Sequence, residues 1–177
     1  MVRFMRFFLV PKYAFTLVTA ISAAFLIQRG IKFLMLDLDN TLTTYGGRVL
    51  PQTVVNWAAE MKACGIVLYI VSNSRRPGRV ERFSEELGIG FVKGANKPFS
   101  AGVKRAMRTA GFAKAESALV GDQIYTDTMA ANFAGVTSII VQPLSIKNPA
   151  FALRYALEVP LRAMCGNKMW RKQDEQY

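Results

Sequence analysis

The sequence predicts an α/β protein with a doubly wound parallel sheet of about five strands, flanked by helices and without a cap domain. Short apolar runs alternate along the chain with segments of helical periodicity. The runs are nearly continuous in apolar residues, as in strands that are buried on both faces of a sheet. The length of 177 residues and the 51% apolar composition suit one domain with a packed core.

The first strand is predicted at Ile31 to Leu36, between Gly30 and Asp37, and a turn-rich flap containing Gly46-Gly47 follows it. Four more apolar runs predict strands at 66–71, 91–92, 117–120 and 136–141. Helical spacing of apolar residues predicts helices at 53–63, 79–87, 97–110 and around Ala130 and Ala131. Pro98 suits the first turn of the helix at 97–110. Strand and helix therefore alternate throughout 31–147, the predicted core domain.

The two ends are predicted to lie outside this core. Tyr13 to Gln28 is a run of sixteen uncharged residues with basic residues on both sides. It is shorter than the roughly 20 residues that span a bilayer, although secretory and transit peptides share its acid-free composition. We expect 1–30 to form a retained apolar helix that lies in a membrane interface or packs on the core. We expect 148–177 to form a basic amphipathic helix and tail, interrupted by Pro160, on the sheet edge or on a membrane.

The composition of the chain favours some binding partners and excludes several kinds of catalytic site. The net charge of +11 favours an anionic partner, whether a phosphorylated substrate, nucleic acid or a lipid surface. The chain contains no histidine, which excludes serine-histidine-aspartate triads and histidine-bearing zinc sites. Cys64 and Cys165 are too few and too far apart to indicate a disulfide framework or a thiolate metal site, and a reducing compartment fits best.

Polar residues follow the predicted strands in four places: Asp37 and Asp39, Ser72 and Asn73, Lys97, and Asp122 with Asp127. Ligands of open α/β sheets bind at the carboxyl ends of the strands, so these clusters should converge on one crevice. Carboxylates gathered there repel one another unless a hard cation lies among them, and oxygen ligands without histidine or cysteine suit Mg²⁺.

These residue types suggest phosphate-ester hydrolysis. Asp37 is placed to act as the nucleophile, and Asp39 to protonate the leaving oxygen and then to activate water. Ser72 and Lys97 offer a hydroxyl and a positive charge to the phosphoryl oxygens. Asp122 would complete the metal site, and Asp127 would steady it.

The four clusters resemble, in order, the motifs of the haloacid-dehalogenase-like (HAD) phosphatases, over roughly residues 31–142. The resemblance implies a phosphoaspartate at Asp37 and a Mg²⁺ ion held by Asp37, Asp122 and the backbone carbonyl of Asp39. It also implies that Thr41 supports the catalytic loop. With Asn73, Arg75 and Arg76, Thr41 completes the predicted substrate-binding set.

The chain between the motifs is too short for a cap domain, so the crevice should stay open to a large or surface-embedded substrate. Arg75, Arg76 and Arg79 would meet a second phosphate there or begin a solvated helix. The residues within and next to the motifs are similar to those of the capless branch that includes phosphatidylglycerophosphate phosphatases. That similarity implies an anionic phospholipid substrate, and we expect a cytoplasmic enzyme, peripheral on the inner face of a membrane, or an organelle-matrix one.

Three alternatives remain open: a phosphatase of phosphoproteins or nucleic-acid ends, a silent binding module, and a nucleic-acid binder. No stretch interleaves exposed aromatics with basic residues, so nucleic acid is not an expected partner, and no obligate protein partner is indicated. Cys165 and Arg171 match the Cys-x5-Arg spacing of cysteine-dependent phosphatases, but the segment lacks the strand and glycine-rich loop which that chemistry needs.

Overall fold

Six parallel strands form one sheet in the computed structural model, which describes residues 8–165. The strands lie in the order β1-β6-β5-β2-β3-β4. Their bounds are Tyr13–Phe15 (β1), Phe33–Leu36 (β2), Val67–Ser72 (β3), Gly90–Lys93 (β4), Ser117–Gly121 (β5) and Thr137–Val141 (β6). The helices are Ala23–Ile27 (α1), Gln52–Ala63 (α2), Arg79–Leu87 (α3), Ala101–Ala110 (α4), Met129–Ala134 (α5) and Pro149–Ala163 (α6). The predicted doubly wound α/β fold is confirmed.

The central strands bury both of their faces, as their continuous apolar sequences predict. In β2, Leu34 and Leu36 join the core beneath α1, α2 and α3. Phe33 and Met35 point to the opposite side and join the core beneath α4 and α5. Side chains alternate along a strand, so a strand covered on both faces needs apolar residues at every position.

The register of β2 with its neighbours aligns the polar clusters. Leu36 lies beside Ile70 of β3 and Val120 of β5, and the Asp37 amide donates to the Val120 carbonyl at 2.8 Å. The chain therefore leaves β2, β3 and β5 at the same edge of the sheet.

The N-terminal prediction was wrong in its secondary structure. Residues 13–28 do not form one helix, because β1 pairs with β6 and becomes the sixth strand, with Ala14 beside Ile140. A turn at Val18–Ala20 and the short helix α1 follow, and Trp57 Nε1 donates to the Ile21 carbonyl at 2.8 Å. Most of the large apolar side chains of the run are buried in the core, whereas Leu17 and Ile27 are exposed. Within residues 8–165, no helix is both long and apolar enough to cross a membrane.

Two helix predictions also need correction. The helix expected from Lys97 begins at Ala101, because the Phe99 amide closes a turn on the Asn96 carbonyl and Pro98 lies in that turn. The C-terminal helix begins after Asn148, whose side chain caps the Ala150 amide, and it continues through Pro160 to Ala163. The predicted extension of the tail beyond residue 165 lies outside the described residues.

Candidate active site

The residues predicted to converge do so at the carboxyl edge of the sheet. Lys97 is buried, and its Nζ lies 2.5 Å from Asp37 Oδ1 and 2.6 Å from Asp127 Oδ1. Asp37 comes from the end of β2, Asp127 from the helical turn after β5, and Lys97 from the loop after β4. A single buried ammonium group therefore joins three separate parts of the chain.

Asp37, Asp122 and Asp127 form a carboxylate cluster. Each can contribute one oxygen such that all three oxygens lie within 4.8 Å of one another, and all three residues are buried. Asp122 Oδ1 is buried and has no hydrogen-bond partner among residues 8–165. An unpartnered buried carboxylate oxygen in an all-oxygen donor set fits a hard cation such as Mg²⁺. Asp37, Asp122 and Asp127 therefore form a candidate binding site for a cation.

Burial perturbs the charges of the cluster. Burial raises the pKa of Asp37 to about 7, with Lys97 opposing the shift and Asp127 adding to it. Burial, followed by the charges of Asp127 and Asp37, also raises the pKa of Asp122. For Lys97, burial favours the neutral amine, but Asp127 and Asp37 outweigh it and raise its pKa. Lys97 therefore stays positively charged, whereas burial favours the protonated forms of Asp37 and Asp122 in the metal-free site.

Asp39 lies beside the carboxylate cluster but is not part of it. Its Oδ1 is 2.9 Å from Arg79 Nη2 and accepts the Gly46 amide at 3.1 Å. These contacts tie Asp39 both to the flap at 40–51 and to the start of α3. Thr41, also predicted in this loop, is buried and does not line the cleft described next.

A cleft of about 660 Å³ opens in front of the cluster. Its wall includes the predicted residues Asp37, Asp39, Ser72, Asn73, Arg75, Arg76 and Lys97. Asn73 has a further role, because its side chain accepts from the Lys97 amide at 2.8 Å and donates to the Lys97 carbonyl at 2.9 Å. Asn73 therefore fixes the backbone that carries the buried ammonium group.

The other wall of the cleft comes from residues that were not among the predicted site residues. Gln123, Thr126, Phe151 and Arg154 line it, and Phe151 makes an edge-on contact with Tyr45 of the flap at 4.7 Å between ring centres. Arg154 donates to the side chain of Gln123. The helix α6 thus forms one side of the cleft, which the amphipathic pattern of the tail did not reveal.

A buried ion pair on α6 supports the loop that carries Asp122. Glu158 accepts the Ile124 amide at 2.9 Å and pairs with Arg162 Nη2 at 2.7 Å. Arg162 in turn donates to the Asp122 carbonyl, and to Val141 O at 3.1 Å. Burial raises the pKa of Glu158, and Arg162 opposes this shift. Their spacing of four residues was the available sequence signal, but it is equally typical of a solvated helix surface.

Gly121 is required by the close packing of Asp127. A Cβ at position 121 would lie 2.2 Å from Asp127 Cγ, which no side chain tolerates without a shift. The carboxylate of Asp127 also accepts the Gln123 amide at 3.1 Å. The glycine and this hydrogen bond together hold Asp127 against the end of β5.

The rival Cys-x5-Arg segment does not reach this site within the described residues. Cys165 is buried, and its thiol donates to the Pro11 carbonyl at 3.4 Å. It packs beside Ala14 and Ile140 at the edge of the sheet. Arg171 lies outside the described residues.

Comparisons with known proteins indicate the family and the fold of the chain. A family described as HAD-hydrolase-like matches residues 94–143. The probable phosphatase YqeG of Bacillus subtilis is 35% identical over 141 residues, which cover 80% of this chain and 81% of that protein.

Among solved structures, an uncharacterized protein from Listeria monocytogenes serotype 4b aligns with a TM-score of 0.55 and 19% identity, over 67% of this chain and 85% of that one. The cobalt-bound deoxy-D-mannose-octulosonate 8-phosphate phosphatase of Haemophilus influenzae aligns with a TM-score of 0.51 and 17% identity, over 77% and 92% of the two chains. At these identities the structures show a shared fold.

Proposed function

Because this chain belongs to the HAD-like phosphatases, we propose that it is a Mg²⁺-dependent phosphomonoesterase that uses Asp37 as its nucleophile. The observation that carries the proposal is the buried carboxylate cluster, with Lys97 in contact with Asp37 and Asp127 at the mouth of one cleft. Asp37, Asp122 and the Asp39 backbone carbonyl would hold the cation, with Asp127 beside them. Mg²⁺ would supply positive charge that balances the carboxylates around it and the phosphoryl oxygens of the substrate.

The residues of the chain divide the reaction between them. An oxygen of Asp37 attacks phosphorus and forms an O–P bond while the bond to the leaving oxygen breaks, and Asp39 gives that oxygen a proton. Asp39 then takes a proton from water, whose oxygen attacks phosphorus and breaks the bond to Asp37. Inorganic phosphate is released, and both aspartates return to their starting states.

Two contacts bear on these steps. Lys97 lies 2.5 Å from Asp37 Oδ1, so it orients the nucleophile and lies close to the charge that develops on the phosphoryl group. Asp39 is paired with Arg79 at 2.9 Å, so proton transfer requires that Asp39 turns from Arg79 toward the leaving oxygen. Ser72, buried at the end of β3, lines the same cleft and offers its hydroxyl to the phosphoryl oxygens.

For the substrate we propose phosphatidylglycerophosphate, converted to phosphatidylglycerol in phospholipid synthesis. Within residues 8–165 no cap domain covers the cleft, because a single helix, α2, lies between the flap and β3 and only α3 lies between β3 and β4. An open cleft admits a phosphate carried on a lipid in a bilayer. Arg75, Arg76 and Arg154 at its rim suit a substrate with a second negative charge.

The exposed face of α6 supports contact with a membrane. Leu153, Leu157 and Met164 are 66%, 60% and 38% exposed, and their spacing places them on one face of the helix. We refer to these three residues as the apolar stripe. Phe151 and Arg154, outside this stripe, line the cleft. Insertion of the stripe into an anionic membrane would place the cleft next to lipid headgroups.

The test measures Mg²⁺-dependent phosphate release from phosphatidylglycerophosphate in vesicles. The comparison substrates are a phosphopeptide, a mononucleotide, an aryl phosphate and 3-deoxy-D-manno-octulosonate 8-phosphate. We expect the lipid to be hydrolysed with the highest kcat/KM and Asp37→Asn to abolish release from every substrate. Turnover of the lipid no faster than of the soluble esters would reject the lipid assignment, and activity retained by Asp37→Asn would reject the mechanism.

Membrane contact is tested separately with Leu153→Ser/Leu157→Ser. We expect this variant to lose binding to anionic vesicles and activity on the lipid while it keeps its kcat on the aryl phosphate. The matched control is Val67→Ser, which changes an exposed apolar residue elsewhere on the surface. Equal vesicle binding by both variants and the unmodified protein would show that the stripe does not contact the membrane.

A further inference from the structure

Four arginines surround a second concave site next to the cleft. The site is a groove of about 460 Å³, lined by Arg48, Arg76, Arg79 and Arg82 and by the backbone of the glycines at 46, 47 and 78. We call it the arginine groove. It shares Arg76 and Pro77 with the cleft, so the two sites meet at one wall.

The positive charge of the arginine groove is poorly compensated. Among the described contacts, its one ion pair joins Arg79 Nη2 to Asp39 Oδ1 at 2.9 Å. Burial lowers the pKa of Arg79, and although Asp39 opposes this, the nearby charges of Arg76 and Arg82 add to it. Like charges held this close favour the binding of an anion.

Arg79 lines the groove and carries an unused donor. Its side chain is 93% buried, as only 7% is exposed, and its Nη1 is buried without a hydrogen-bond partner among the described residues. A guanidinium group is rarely buried with a donor unsatisfied, because the lost hydration is not replaced. The unsatisfied donor is therefore a second observation, independent of the charge count, that indicates a ligand.

Several of the groups around the groove are in close packing contact. Arg79 and Arg82 both lie over the ring of Phe83, at 5.3 and 4.5 Å from its centre. The guanidinium group of Arg76 lies so close to Gly46 that a Cβ there would be 2.5 Å from Nη1. The nine-residue helix α3 begins at Arg79 without a capping side chain, and Glu81 in its first turn is paired with Lys93 at 2.5 Å. Amides at a helix start add to the attraction for an anion.

We propose that the arginine groove is a binding site for a phosphate group, distinct from the phosphate under hydrolysis in the cleft. A tetrahedral oxyanion matches the paired donors of guanidinium groups and the amides at the start of α3. The anion would use the free Nη1 donor of Arg79, while Nη2 stays paired with Asp39.

The experiment uses the full chain in EDTA, so that binding is read without turnover. Inorganic phosphate is titrated by calorimetry and by NMR of the arginine Nε–H signals, at moderate salt. We expect Arg48→Gln and Arg82→Gln each to weaken phosphate binding about tenfold, the loss typical of one charged hydrogen bond. Arg108→Gln, which removes the same charge from an exposed position on α4, is the matched control and should bind normally.

Equal affinity in all three variants, or equal weakening by all three, would overturn the proposal and leave only general attraction to a basic protein. Vesicles of phosphatidylcholine with or without phosphatidylglycerol then identify the source of the phosphate. If vesicle binding requires Arg48 and Arg82, the ligand is a lipid headgroup. If vesicle binding is independent of these arginines while the titration with inorganic phosphate still requires them, the ligand is a free phosphate ion. Asp37→Asn should keep the groove intact, so failure here is distinguishable from failure of the proposed phosphatase activity.

Discussion

The ion pair between Glu158 and Arg162 offers a quantitative test of how α6 supports the carboxylate cluster. Glu158→Ala removes a buried carboxylate that accepts Arg162 Nη2 at 2.7 Å and the Ile124 amide at 2.9 Å. Breaking a buried pair by removal of one partner costs about 3–5 kcal/mol, because the remaining charge is left uncompensated. Arg162 keeps its bonds to the carbonyls of Asp122 and Val141. We therefore expect Glu158→Ala to lower the free energy of unfolding by about 3 kcal/mol, the lower end of this range.

The effect should extend to the metal. The Ile124 amide and the Asp122 carbonyl belong to the loop that presents Asp122, so its loosening should weaken Mg²⁺ binding by about 10–100-fold, as for outer-shell partners of other metal ligands. Urea unfolding followed by circular dichroism gives the free energy of unfolding, and calorimetry gives the Mg²⁺ affinity. Each is measured beside Glu60→Ala, which changes an exposed helical glutamate.

A double-mutant cycle separates the interaction energy of the ion pair from the cost of leaving one buried charge without a partner. Glu158→Leu/Arg162→Met removes both charges and should be less destabilising than the sum of Glu158→Leu and Arg162→Met. A free energy of unfolding for Glu158→Ala within about 1 kcal/mol of the unmodified protein would refute this account of α6. So would additive single and double variants.

Three further predictions follow from contacts described above. Gly121→Ala should displace Asp127, since the new Cβ would lie 2.2 Å from its Cγ, and should lower Mg²⁺ affinity in calorimetry; unchanged affinity would contradict this. Burial raises the pKa of Asp37 from 3.8 to about 7, so in the metal-free protein the stabilising contribution of its protonated form is complete below pH 3.8 and is lost as the pH rises through 7. Mg²⁺ competes with that proton, so its affinity should increase between about pH 6 and 8 with proton release in calorimetry, and a pH-independent affinity would count against the assignment. Trp57→Phe removes the donor to the buried Ile21 carbonyl and should cost about 1–3 kcal/mol in urea unfolding, whereas a smaller loss would mean that the bond is dispensable.

Much of the cluster was predictable because its positions depend on local rules. An apolar strand ends where polar residues begin, and parallel strands bring those ends to one edge. Asp37, Ser72 and Asp122 therefore lie together as their sequence positions predicted. Their catalytic roles stay predictions, since geometry alone does not test them.

The missed features depend on contacts between distant segments. The run at 13–28 contains β1 because β6 offers it an unpaired edge, and nothing within the run itself distinguishes that strand from a helix. Glu158 and Arg162 have the spacing of a surface pair, but the loop after β5 buries them. Likewise the ion pair between Arg79 and Asp39 joins two elements whose separation in sequence gives no signal.

The pairing of β1 with β6 also bears on self-association. Thr137–Val141 is a short, uncharged and mostly β-branched strand, the composition that adds readily to other strands when its edge is open. The three residues of β1 occupy that edge and leave only a short edge of their own. A variant without residues 1–15 would expose the backbone edge of β6. We expect this variant to aggregate through that edge, although all residues of its carboxylate cluster are still present.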